Sequence, residues 1–164
     1  MGGADYCIDA SSLIKLKQDF PPGVFPAVWE KVEQLVGSGR LIAPDEVARE
    51  IDNDDILGPW AKKHKKMFRR LDQQQINLVK EIEGRFPKLA KPGKFGPAAD
   101  AFVVALARLE NQPAADLFGS KPECLVVTEE RGGPEKIPGA CSHYKIACVS
   151  LVELFQREGW VFRS

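Results

Sequence analysis

Tyr6-Cys7-Ile8-Asp9-Ala10-Ser11-Ser12-Leu13-Ile14 decides how the rest of the chain is read. Three largely apolar side chains end on an acid and two serines follow, which predicts a short buried strand running into a helix that starts on a serine cap. The chain therefore opens β then α. Outward from there, residues 26–36 set Val28, Trp29, Val32, Leu35 and Val36 on one helical stripe. Gly37-Ser38-Gly39 ends that helix before a brief strand at 40–43, and Pro44 opens the next helix. Residues 55–86 read as helical, with breaks at Gly58-Pro59 and near Asp72, and 88–97 as a Pro/Gly/Lys loop. Residues 98–110 are apolar almost all round, as in a helix buried on most sides. Residues 124–128 form a continuous apolar strand and 145–149 another, followed by a helix over 150–158 and a terminal strand at 160–162. Short buried strands alternating with helices give an α/β fold, a three-layer α/β/α sandwich with a mostly parallel central sheet of about four or five strands.

Length and composition bound the functional classes. A chain of 164 residues, 44% apolar, buries about 70% of the surface its unfolded state exposes, so it needs no disulfide or structural metal to fold. Residues 1–164 read as a single domain. Cys7, Cys124, Cys141 and Cys148 form no C-x-x-C pair and lie mostly in apolar runs, where they act as small hydrophobes of a reducing compartment. No run reaches the roughly 20 apolar residues of a membrane helix, and no secretion signal opens the chain, so a cytoplasmic protein is expected. His64 lies within a basic run and His143 is expected in a loop.

The balanced charge, 23 Lys+Arg against 23 Asp+Glu, conceals strong segregation. Residues 1–59 carry 5 basic and 11 acidic side chains, residues 60–94 carry 11 and 3, and residues 95–164 carry 7 and 9. A basic helical insert at about 55–94 thus interrupts an acidic chain. Such segregation suits a polyanion binder with an acidic reaction centre, although a charge run alone is more often a solvated helix face.

In open α/β sheets ligands bind beyond the carboxyl ends of the strands. The residues that close the apolar runs are acids: Asp9 after the first strand, Glu129 and Glu130 after Thr128. Two more sit on helices in apolar company, Glu50 near Val47 and Ile51, and Asp100 on a face shared with Val103, Val104 and Ala107. Each has an ordinary explanation as a cap or solvated acid. Glu46, one turn before Glu50, reads as part of an exposed face. Together the four positions reach one sheet edge. Two carboxylates about 5 Å apart repel by roughly 3 kcal/mol at an effective dielectric of 20, so such a cluster needs protons or a cation. With no histidine or cysteine in the set, the hard ions Mg²⁺ or Mn²⁺ are favoured over zinc.

The ordered set Ile8-Asp9-Ala10-Ser11-Ser12, Val47-x-x-Glu50-Ile51, Ala99-Asp100 and Val126-Val127-Thr128-Glu129-Glu130 resembles the PIN domain, a small metal-dependent nuclease fold found in VapC-type toxins and RNA-processing enzymes. The likeness spans nearly the whole chain. It departs at the fourth acid, where PIN domains usually carry Asp and this chain offers Glu130 beside Glu129. The resemblance implies hydrolysis of RNA by a metal-activated water. It also implies Asp9, Glu50, Asp100 and Glu130 or Glu129 as ligands of Mg²⁺ or Mn²⁺, with Ser11 and Thr128 supporting them. Lys62, Lys63, Lys65, Lys66, Arg69 and Arg70 would hold the RNA backbone, while Arg49 and Arg131 are further candidates for phosphate contact. An antitoxin partner and a homodimer follow by the same analogy. A non-catalytic RNA- or protein-binding module is the alternative, and a Mg²⁺-dependent phosphatase fits less well because Ser11 stands where that class carries a second Asp.

Overall fold

A computed structural model describes residues 3–90, 98–112 and 122–163. Strand β1 (Asp5–Ile8) leads through helices α1 (Ala10–Asp19) and α2 (Pro26–Gly37) to β2 (Leu41–Pro44). Helices α3 (Asp45–Ile51) and α4 (Leu57–Lys63) precede the two-residue strand β3 (Phe68–Arg69), and α5 (Gln73–Arg85) and α6 (Asp100–Glu110) follow. Strand β4 (Cys124–Val127), helix α7 (Ile137–His143), β5 (Cys148–Val149) and α8 (Leu151–Arg157) complete the described elements.

All strand pairings are parallel, in the order β3-β2-β1-β4-β5. The expected three-layer sandwich is present. Every residue of β2 and β4 is buried, as strands covered on both faces must be. Helix α6, with α5 and α7 beside it, packs against β1, β2 and β4, while α1 neighbours α3, α4 and α8. Chain order runs outward from β1 in both directions, so β1 and β4 flank the point where the connections diverge, and a crevice opens there beyond their carboxyl ends. Asp9 and Thr128 immediately follow those two ends.

Five local expectations are corrected. The stretch 55–86 is not one broken helix: a 3-10 turn at Lys65–Met67 and strand β3 separate α4 from α5. The expected strand at 160–162 does not form, because Gly159 (φ 70°) turns the chain back and Trp160 and Phe162 stack around Phe155 at ring distances of 5.2 and 6.0 Å. The strand expected over 145–149 shrinks to β5, since Lys145 adopts φ 58°, outside extended geometry. His143 lies in α7 rather than in a loop. The loop expected at 88–97 begins as a 3-10 turn, Pro87–Ala90, and its residues 91–97 lie outside the described residues.

Cys7, Cys124 and Cys141 are buried and Cys148 is half-buried; Cys7 Sγ donates to the Val103 carbonyl at 3.6 Å. Asn111, at the end of α6, accepts from Cys124 N and donates to Cys124 O, both at 2.8 Å, fixing β4 against that helix. Among the described residues, no helix is long and apolar enough to cross a membrane.

Candidate acidic site

Asp9 is 2% exposed, yet it is a carboxylate. Its extended backbone (ψ 171°) makes it the N-cap of α1, where Oδ1 accepts from Ser12 N at 2.9 Å. The Ser11 hydroxyl donates to Oδ1 at 2.8 Å, and Thr128 Oγ1 donates to Oδ2 at 2.5 Å across the β1–β4 boundary. Burial pushes its pKa up, while the Thr128, Ser12 and Ser11 hydrogen bonds pull against that rise without cancelling it. Thr128 Oγ1 in turn accepts from Glu130 N at 3.1 Å, and Ser11 Oγ accepts from Glu129 N at 3.2 Å. The two hydroxyls thus tie the end of β4 to the cap of α1.

The glutamate doublet divides at this point. Glu129 Oε2 accepts from Leu151 N at 2.8 Å, turning toward the start of α8. Glu130 Oε2 accepts from Ile137 N at 3.2 Å at the start of α7, and its charge acts on Asp100. Glu50 Oε1 accepts from Ala99 N at 3.0 Å, which ties α3 to the first residues of α6 and sets Glu50 beside Asp100. Asp100 itself is pushed up to about 7 by burial, then by the charges of Glu130, Asp9 and Glu50. Its perturbers are the three other acids singled out from the sequence, so those four carboxyls share one electrostatic field.

Within that field they stand apart. Among the described residues, no group of three or more His, Cys, Asp or Glu side chains lies at spacing that could hold a metal ion. Asp9, Glu50 and Glu130 each accept a backbone amide, and mutual repulsion favours separation when no positive charge lies between them.

Sequence reasoning missed Glu46. One turn before Glu50, it is only 13% exposed in its side chain, and Oε1 is buried with no hydrogen-bond partner among the described residues. Burial raises its pKa, against the opposing charges of Arg49 and Arg70. The four-residue spacing from Glu50 was visible, but helix α3 turns Val47 and Ile51 to the core without leaving Glu46 fully in water. Arg49 stands 3.7 Å from both Asp45 and Glu46. Arg131 borders a hollow of about 290 Å³ together with Thr128, Glu130, Cys148 and Ser150.

The basic candidates lie elsewhere. Lys63, Lys65, Lys66 and Arg69 surround a cleft of about 660 Å³ that also reaches Leu41, the first residue of β2. Lys62 borders a separate hollow with Asp45 and Asp52, and Arg70 acts electrostatically on Glu46. The cleft lies at the β3 edge of the sheet, whereas Asp9 follows β1, two strands further in.

A family model described as a domain of unknown function, DUF4411, matches residues 6–162, which include all of these side chains. No curated protein matches the chain.

Proposed function

The chain belongs to the DUF4411 family, and from that footing we propose that it is a divalent-cation-dependent ribonuclease of PIN-like fold. One observation carries the proposal: four carboxyls from segments far apart in the chain share one field, in which burial first and then the charges of Glu130, Asp9 and Glu50 push Asp100 up to about 7. Elements distant in sequence converge there at the switch point of a parallel sheet, the place where α/β folds bind ligands.

The chemistry of the donor set suits a hard cation, which would have to draw the separated carboxylates together. The set is all oxygen, carries up to four negative charges, and meets no Lys or Arg in the hydrogen bonds that fix Asp9, Glu50 and Glu130. Asp9, Glu50, Asp100 and Glu130 would hold Mg²⁺ or Mn²⁺, and Glu129 is set aside by its bond to α8. When bound, such an ion supplies activation of a water nucleophile and neutralisation of phosphate charge. The chain's own contribution is positioning. Ser11 and Thr128 fix both oxygens of Asp9, so that carboxylate keeps one orientation. Asp100 holds a proton near neutral pH and yields it when positive charge enters the cluster. Thr128 also holds the Glu130 backbone, linking the two strand-end acids.

The test compares RNA cleavage by the wild type and Asp9→Asn, with Mg²⁺ or Mn²⁺ and with chelator. Cleavage confined to the metal-loaded wild type is expected; equal activity of the two proteins ends the proposal. A second reading, a non-catalytic RNA- or protein-binding module, is favoured by the carboxylates' bonds to the starts of α6, α7 and α8 and by their separation. Metal binding without cleavage would select it.

A further inference from the structure

The cleft at the β3 edge of the sheet has an apolar floor and a cationic rim. Leu41 and Met67 are buried beneath it, Val36 is half-buried at its side, and Lys63, Lys65, Lys66 and Arg69 are exposed around it. Among the described residues no carboxylate lines it, and none of these four cations takes part in an ion pair. By contrast Lys15, Lys17, Arg40, Arg49 and Lys88 all face acids. His64 completes the wall and is fixed from behind, with Nε2 3.2 Å from Glu33 Oε2 and its ring 4.9 Å from that of Trp60. Trp60 Nε1 donates to the same Glu33 oxygen at 3.2 Å, so that acid is occupied on the far side of the ring.

We infer that this cleft is a binding site for a single-stranded RNA segment, separate from the acidic cluster. Cations spread along a rim, none of them buried, match successive phosphates of a backbone; a free nucleotide would call for a few buried polar groups converging on one phosphate. The concave apolar floor accepts an unstacked base, which a duplex does not present. The registers set Met67 level with Ile42 and Arg69 level with Pro44, so the cleft and Asp9 are separated sideways, with β2 between β3 and β1. Two strand spacings make about 10 Å across the sheet. A strand held here therefore reaches the carboxylates only if it extends past the cleft, and the site deepens the nuclease proposal by giving the substrate a second anchor. Binding is nevertheless separable from catalysis.

The measurement is fluorescence anisotropy of a labelled single-stranded oligoribonucleotide on Asp9→Asn in chelator, where neither metal nor turnover contributes. Against this background the double reversal Lys63→Glu/Lys66→Glu is expected to weaken binding by about tenfold or more. It should also flatten the slope of log affinity against log salt by about 1.4, the loss of two single-strand phosphate contacts. The control Lys31→Glu/Lys80→Glu, with the same change in net charge on exposed helix positions of α2 and α5, should fall well short of both effects. Equal weakening by control and cleft reversals overturns the inference. So does displacement of the strand by a nucleoside monophosphate at equal site concentration, or binding of poly-glutamate as tight as that of RNA at equal charge. Loss of cleavage in the wild-type background with intact binding here would sink the nuclease proposal and leave this one standing.

Discussion

At Asp100 a carboxyl that ionises near pH 4 in an unfolded chain holds its proton to about 7 in the folded one. The folded state therefore binds more protons than the unfolded state between those values, and stability contributed by the protonated form is lost as pH rises through 7. Asp100→Asn removes that loss. We expect it to raise stability at pH 8 by on the order of 1–2 kcal/mol, after discounting for partial exposure, and to do little at pH 4; thermal melts at the two values check it. Thr128→Val keeps the shape but removes a donor to a buried carboxylate, and should destabilise the chain by about 2 kcal/mol. An unchanged melting temperature would show that Asp9 finds another donor. The doublet separates in the same way. Glu129→Ala should lower stability by about 1 kcal/mol through the lost bond to α8 while leaving Mg²⁺-induced stabilisation intact, whereas Glu130→Ala should abolish that stabilisation. Thermal melts with and without Mg²⁺ read both. The identities of Asp9, Glu50 and Asp100 as acids in apolar company were legible in sequence; the different duties of Glu129 and Glu130 were not, since adjacent residues differ only in where tertiary neighbours stand.

Among the elements, α4 shows how close backbones come. A Cβ on Gly58 would collide with the Asp52 carbonyl oxygen, because the chain folds back directly between α3 and α4. Gly58→Ala should therefore destabilise despite alanine's helix preference of about 1 kcal/mol, and a higher denaturation midpoint in this variant would contradict the packing described. The break near Asp72 and the helix start at Ser150 were legible, and in the structure each is a capping box, Asp72 with Gln75 and Ser150 with Glu153. Strand β3 was not visible. Two residues carry no period, and Phe68–Arg69 is a strand only because β2 offers an unpaired edge to receive it.

For the molecule as a whole, Arg40 ties the far ends together. Its guanidinium donates to the Ala4 carbonyl and to Glu158, whose other contact is the Tyr6 hydroxyl at 2.6 Å, so the start of β1, the approach to β2 and the end of α8 meet. The Arg40 and Tyr6 hydrogen bonds hold the Glu158 carboxyl below its ordinary range despite burial, and Tyr6 is pushed up to about 12 by burial and by Glu158. A depressed acid contributes stability above its unfolded value and loses it as pH falls through the folded one. Glu158→Gln should therefore cost stability at pH 7 and almost none at pH 3, the reverse of Asp100→Asn, and paired melts of the two variants would show opposite pH slopes. The sequence by itself determined the fold class, because runs of buried strand residues alternating with helices leave few ways to cover both faces of a sheet. It singled out Asp9 and Asp100, though not Glu46, because a carboxylate among apolar neighbours is costly wherever it lies. Only the tertiary structure decided that Asp9, Glu50, Asp100 and Glu130 share one field while Lys63, Lys65 and Lys66 gather at the β3 edge of the sheet. Strand order and register, which set those distances, depend on pairings between segments far apart along the chain.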